Sequence, residues 1–224
     1  MRKPILTIAS AGLAAAVTLV SCAAPEQAPT ESTATATQVS VPADLTDRVA
    51  PADARLITDP ADPQATLVLF TDYQCPYCAY MDELIQQARN DYGDQVRIVV
   101  RNYPLPKHQN AKAAAQAVEA AAEQGALTDM ATLVFEHQED WKNQSTGLED
   151  LFVQYAQELG LDTEAFRTDF SSQQIIDRVE TDLQDATDLE LRGTPTLILD
   201  GEMLTVNPMD YSTLQEPLEN AVAD

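Results

Sequence analysis

Cysteine is scarce in this chain, with three among 224 residues, two of them in Cys75-Pro76-Tyr77-Cys78. Nothing but the distant Cys22 could compete to pair with either member of that motif. Histidine is scarcer still. A zinc site built on the two cysteines would need two more ligands, and only His108 and His137 exist, far apart in sequence, unlike the close pairs of zinc sites. Basic residues are also few: 13 lysines and arginines stand against 36 acids, for a net charge of -23. A surface of that sign argues against nucleic acid as a partner and against electrostatic docking to anionic lipid, and solubility accounts for it. Finally, no apolar run reaches the roughly 20 residues of a membrane span. The longest, Ile5 to Val20, falls short of it, and no internal repeat is visible.

What is present is a dithiol. Two cysteines separated by two residues can take up or release two electrons by closing and opening one disulfide. A purely structural disulfide is the alternative, although so short a loop restrains the unfolded chain little. The zinc reading is the third. The motif follows the apolar run Ala65 to Phe70, and Pro76 suits the first turn of a helix, where its missing N–H costs nothing.

The N-terminus reads as an export signal. Met1-Arg2-Lys3 supplies the basic start, the Ile5–Val20 run the apolar core, and Leu19-Val20-Ser21-Cys22 resembles a bacterial lipobox. On that resemblance residues 1–21 are a signal peptide and Cys22 is the lipidated mature N-terminus. Cleavage nearby with Cys22 incidental is the alternative. Residues 22–54 are expected to be a linker and lead-in, and Ala23 to about Ala43, which has almost no large apolar residue, a disordered spacer. Export also suits the cysteines, since disulfides persist outside the cytosol. The folded domain is expected over residues 55–224, enough for one core.

Within it, Ala65–Phe70 and Val96–Val100 read as buried strands flanking a helix that begins at Pro76 and breaks near Gly93. Strand, helix, strand is a βαβ unit. Helical patterns then cover Ala111–Gln124, Leu127–His137, Leu148–Leu159, Thr163–Phe170 and Gln173–Leu189. Gly193–Leu199, a strand opened by a proline, the Asp200-Gly201 turn and Met203–Val206 predict a β-hairpin, and Asp210–Ala221 a last helix. The fold class is α/β, a small mixed sheet with a helical insertion at about 107–190.

These features together resemble the DsbA-like branch of the thioredoxin superfamily. Phe70 to Cys78 resembles its active-site strand and helix start. Tyr103-Pro104-Leu105-Pro106-Lys107-His108 before an alanine-rich helix resembles a stretch common in its Gram-positive and lipoprotein members. Gly193-Thr194-Pro195 resembles the loop that holds a cis-proline opposite the dithiol. The likeness covers roughly residues 55–224 and implies a thioredoxin-like fold with its insertion between the βαβ unit and the cis-Pro strand. One position departs from the pattern. Relatives often carry a buried acid six residues before the first cysteine, and here that residue is Leu69.

The resemblance implies thiol–disulfide exchange with cysteine-containing exported proteins. Cys75 is expected at the helix N-terminus, where unpaired N–H groups favour an anion, and Cys78 one turn in as the resolving thiol. Pro76, Tyr77, Thr194 and Pro195 are the expected supporting residues, with the Thr194 backbone pairing to an extended substrate peptide. Nearby Asp72, Asp82 and Glu83 oppose a Cys75 thiolate and suggest a weaker oxidant than DsbA. His108 is expected at the surface near the inserted helix, His137 solvated or structural, Trp141 in packing, and Tyr73 and Tyr77 at the site's rim. No metal and no organic cofactor is implied. The implied partners are the substrates, a quinone-linked membrane protein for reoxidation, and the membrane through the lipid on Cys22. The function adopted is an oxidase in the bacterial envelope; an envelope reductase or isomerase, and a non-catalytic lipoprotein binding module, are the alternatives.

Overall fold

The structure, a computed structural model, describes residues 40–42 and 45–223, so the signal segment, Cys22 and most of the spacer lie outside it. Two strands form the centre, β2 (Ala65–Thr71) and β3 (Val96–Asn102), paired in parallel with Leu67 opposite Ile98 and Leu69 opposite Val100. β2 reads as a nearly continuous apolar run because both of its faces are covered, whereas Arg97 interrupts β3 and Arg101-Asn102 end it. The helix between them, α2 (Pro76–Tyr92), makes this a βαβ unit. On the other side of β2 lies β4 (Thr196–Leu199), antiparallel, followed by β5 (Glu202–Leu204). The hairpin turn places Asp200 at φ 48° and Gly201 at φ 85°, the positive dihedrals that an Asp-Gly pair tolerates.

A fifth strand, β1 (Arg55–Thr58), closes the sheet beyond β3, giving the order β1-β3-β2-β4-β5. β3 also runs two residues past its expected end at Val100, because the Arg101 side chain finds carboxylates rather than solvent.

Strand alternation sorts the core into two layers. Leu67, Leu69, Ile98 and Leu197 pack with Met81 and Ile85 of α2 and with Leu214 and Leu218 of the last helix, Ser212–Ala223. Val68, Phe70, Val99 and Ile198 face the opposite way, against Ala186 and Leu189 at the end of a long helix, Gln173–Asp188. Val41 and Val49 join that second layer, and the Val41 N–H donates to the Gly201 carbonyl at 2.8 Å. Thus residues 40–42 and 45–54, ahead of the sheet, are packed onto it.

Between β3 and β4 the chain makes a helical layer. After the short α1 (Thr46–Val49) and α2, its helices are α3 (Ala111–Ala122), α4 (Leu127–Glu136), α5 (Gln138–Trp141), α6 (Leu148–Glu158), α7 (Thr163–Phe170) and α8 (Gln173–Asp188). The last helix, Ser212–Ala223, is α9. Alanines 114, 117, 120 and 121 are buried in α3, whose small side chains let Met130, Val134, Trp141, Phe152 and Phe166 close around it. The fold is therefore a thioredoxin-like α/β sheet carrying a helical insertion. Tyr73, Cys75 and Cys78 belong to the core of this third layer, which places the dithiol where insertion and sheet meet.

Candidate active site

Cys75 is the N-cap of α2, with φ −80° and ψ 124°, and Pro76 occupies the first turn, where no N–H is needed. The Cys75 carbonyl accepts from the Cys78 N–H at 3.1 Å and the Ala79 N–H at 3.3 Å, so the helix starts directly beneath its sulfur. Both cysteines are free thiols, Cys75 5% exposed and Cys78 1%. Tyr77, half exposed, stands beside them on the surface.

The second half of the site comes from the loop before β4. The Thr194–Pro195 peptide is cis. The Cys75 Sγ donates to the Thr194 carbonyl oxygen at 3.5 Å. The Thr194 N–H has no acceptor among the described residues, and its hydroxyl is buried without another partner beside the sulfurs. Cys75, Pro76, Tyr77, Cys78, Thr194 and Pro195 are thereby brought together; Cys22 lies outside the described residues.

The two sulfurs sit in opposite electrostatic states. A hydrogen bond from Cys78 is the main cause that lowers the Cys75 thiol to about 5; burial opposes it, while the Cys78 and Tyr77 N–H groups and Thr194 assist. Burial pushes Cys78 well above the ordinary thiol value, and its bond to Cys75 adds to that. The helix N-terminus supplies donors to one sulfur and leaves the other in an apolar layer.

Polar side chains from the insertion hold the segment before Cys75. Gln138 of α5 donates to the carbonyls of Tyr73 at 2.7 Å and Cys75 at 3.2 Å. Gln74 donates to the Lys142 carbonyl and accepts from the Asn110 N–H, both at 2.8 Å. Asn110, which precedes α3 as a cap would, makes no capping bond; its amide reaches the Trp141 and Gln144 carbonyls instead. The sequence named neither Gln138 nor Asn110, and a polar residue facing carbonyls more than thirty positions away leaves no local signal.

Asp72 is buried and turned from the dithiol, accepting from the N–H groups of Gln74 and Leu105 and bonding His108 Nδ1 at 2.7 Å. His108 thus anchors the stretch before α3. Leu69 sits in the sheet core, and Asp82, four residues past Cys78 on α2, lines a small cavity with Leu69, Thr71 and Tyr73. Burial raises Asp82 to about 6. Tyr73 is 2% exposed and packs on Phe135 at 5.1 Å, so it belongs to the core rather than the rim. Trp141 is fully buried and donates to the Val134 carbonyl, and His137 pairs with Asp140.

Residues 60–220 match the family model described as Thioredoxin. The chain belongs to the thioredoxin family. Solved structures share its fold with the insertion. Oxidised BdbD from Bacillus subtilis is 19% identical, has a TM-score of 0.66 and covers 84% of this chain and 98% of its own. The thiol-disulfide exchange protein alpha-DsbA2 from Wolbachia pipientis is 19% identical at a TM-score of 0.67, covering 79% of this chain and 91% of that one. In form this thioredoxin-family chain is therefore DsbA-like.

Among curated proteins, the Na(+)/H(+) antiporter NhaA of Herminiimonas arsenicoxydans is 38% identical over 148 residues, which are 66% of this chain but 22% of the antiporter. NhaA 1 of Mycobacterium sp. (strain KMS) is 35% identical over 165 residues, again only 25% of its length. The chain spans a quarter or less of these relatives, and no helix among the described residues is long and apolar enough to cross a membrane. The antiporter name describes those longer proteins.

Proposed function

We propose that the chain is an exported, membrane-tethered thiol–disulfide oxidoreductase that oxidises cysteine pairs in protein substrates. The observation that carries this is the split between the sulfurs, Cys75 lowered to about 5 and Cys78 raised by burial. A thiolate stabilised in the dithiol state makes the disulfide a better oxidant, and about 5 falls between roughly 7 for thioredoxin and roughly 3.5 for DsbA. This matches an oxidase milder than DsbA.

In the oxidised protein a substrate thiolate attacks the Cys75 sulfur. The Cys75–Cys78 bond breaks, Cys78 leaves with the electron pair and takes a proton, and substrate is held on Cys75. A second substrate thiolate then attacks its partner sulfur and expels the Cys75 thiolate. The substrate has lost two electrons and the dithiol has gained them; a quinone-linked membrane protein takes them away. The cysteine at position 22, lipidated, holds the domain at the envelope membrane.

The test is equilibration in glutathione buffers, with thiols trapped and counted by mass. A potential of about −120 to −180 mV supports an oxidase or isomerase; one near −270 mV indicates a reductase, and one below about −300 mV a structural bond. Cys78→Ser is expected to accumulate substrate on Cys75, and Cys75→Ser to abolish exchange. Mixed disulfides confined to Cys78 would reverse the roles. The tether is checked by the mass of the mature N-terminus, which should carry diacylglycerol on Cys22.

A further inference from the structure

Most cations among the described residues are spoken for. Among the described residues, each lysine and arginine forms an ion pair with a carboxylate except Arg89, Lys107 and Arg192. Arg89 lies on α2 and donates to the Thr128 hydroxyl. The other two stand together. Lys107 and Arg192, both exposed, line one groove of about 400 Å³ with Leu105, Pro106, Gly193 and Thr194.

Thr194 ties that groove to the chemistry, because its carbonyl oxygen is 3.5 Å from Cys75 Sγ. Two acids stand nearby. Asp72 is buried and satisfied by two N–H groups and His108. Glu190 lines the adjoining groove with Arg192 and Pro195 but forms no ion pair with Arg192. Two cations 85 positions apart in sequence, without an ion pair among the described residues, share one groove with Thr194 in a chain of 36 acids.

We propose that Lys107 and Arg192 select substrates whose cysteine is flanked by acidic residues, the extended acidic segment lying in this groove while its sulfur meets Cys75. The inference rests on the exchange reading above. Leu105 and Pro106 give the segment an apolar wall, and the Thr194 N–H, without an acceptor among the described residues, gives it a backbone donor. Selection happens at encounter and in the mixed disulfide, and it works against the repulsion an acidic peptide meets elsewhere on this surface.

Three synthetic peptides with one cysteine flanked by glutamates, glutamines or lysines are mixed with the oxidised protein, and mixed-disulfide formation is timed. Flanking charge changes each peptide's own thiol, so the quantity read is the glutamate-to-glutamine rate ratio, compared between proteins. In Lys107→Gln/Arg192→Gln that ratio should fall about 3- to 10-fold at low salt, and the difference should shrink at high salt. In Arg89→Gln, which removes an equally unpaired charge elsewhere, the ratio should match the parent's. An unchanged ratio in the double variant, or an equal fall in Arg89→Gln, overturns the assignment while leaving exchange standing. Failure of all three peptides to exchange overturns the exchange reading itself, and this inference with it.

Discussion

The dithiol end and the cluster around Arg101 both bury polar groups, and they treat charge in opposite ways. Arg101 is 1% exposed and lies at the C-terminal end of β3, opposite Phe70 of β2, where its Nε donates to Asp182 at 2.7 Å and its Nη2 to Asp185 at 2.6 Å. Two more of its N–H groups reach the carbonyls of Arg48 and Val49, and its face lies 5.5 Å from the Phe70 ring. Four of the five N–H protons of this cation have an acceptor among the described residues. Asp182 takes two further bonds from Asn102, and the buried Glu119 joins Asn102 to Arg55. At the dithiol, by contrast, neutral thiol, hydroxyl and N–H donors lower Cys75. A fully paired charge fixes one geometry, and a partly supported thiolate stays available to attack.

The sharpest way to break that contrast is Arg101→Ala. Asp182 would be left buried without its cation and Asp185 with only the more exposed Arg48, at an expected loss of about 3–5 kcal/mol in denaturant unfolding. A loss under 1 kcal/mol would show the cluster to be hydrated rather than paired. Gln138→Ala strikes the other region. It orphans the Tyr73 carbonyl and takes one of three donors from the Cys75 carbonyl, with an expected cost of about 1–3 kcal/mol and slower alkylation of Cys75 at pH 6 as the capping residue loosens. Unchanged stability with unchanged alkylation would mean α5 does not hold the segment.

Asp82→Asn sharpens the comparison through pH. Burial raises the Asp82 carboxyl to about 6 in the folded protein, above its unfolded value near 3.9, so the folded state holds the extra proton. Native stability therefore falls as pH rises from about 4 through about 6, and the asparagine variant should lack that fall and be the more stable at pH 7. Parallel pH curves for the two proteins would contradict it. The smallest effect belongs to Lys112→Ala, which removes an exposed pair with Glu180 and should change stability by less than about 0.5 kcal/mol.

Much of this architecture is legible in order along the chain. β2 announces itself because a strand covered on both faces is almost wholly apolar, β3 through the run Ile98-Val99-Val100, and α3 because its close packing demands alanine. The dithiol and the Gly193-Thr194-Pro195 loop are short motifs, readable separately, whose meeting at 3.5 Å the family resemblance implied. β1 was not readable, since Arg55-Leu56-Ile57-Thr58 is four residues of mixed polarity at a sheet edge. Nor was the Arg101 cluster, whose partners lie more than eighty positions ahead on α8. Asp72 and Tyr73 show the same gap: adjacency to the motif says nothing of which way a side chain turns. Asp72 faces His108, and Tyr73 faces Phe135.

The split between the two sulfurs is tested most directly by titrating the reduced protein, following thiolate absorbance and the alkylation rate of each cysteine by mass. One thiol, Cys75, should ionise near pH 5, with Cys78 still protonated at pH 8. Both cysteines ionising together near about 8.5, the value of an unperturbed thiol, would contradict the account.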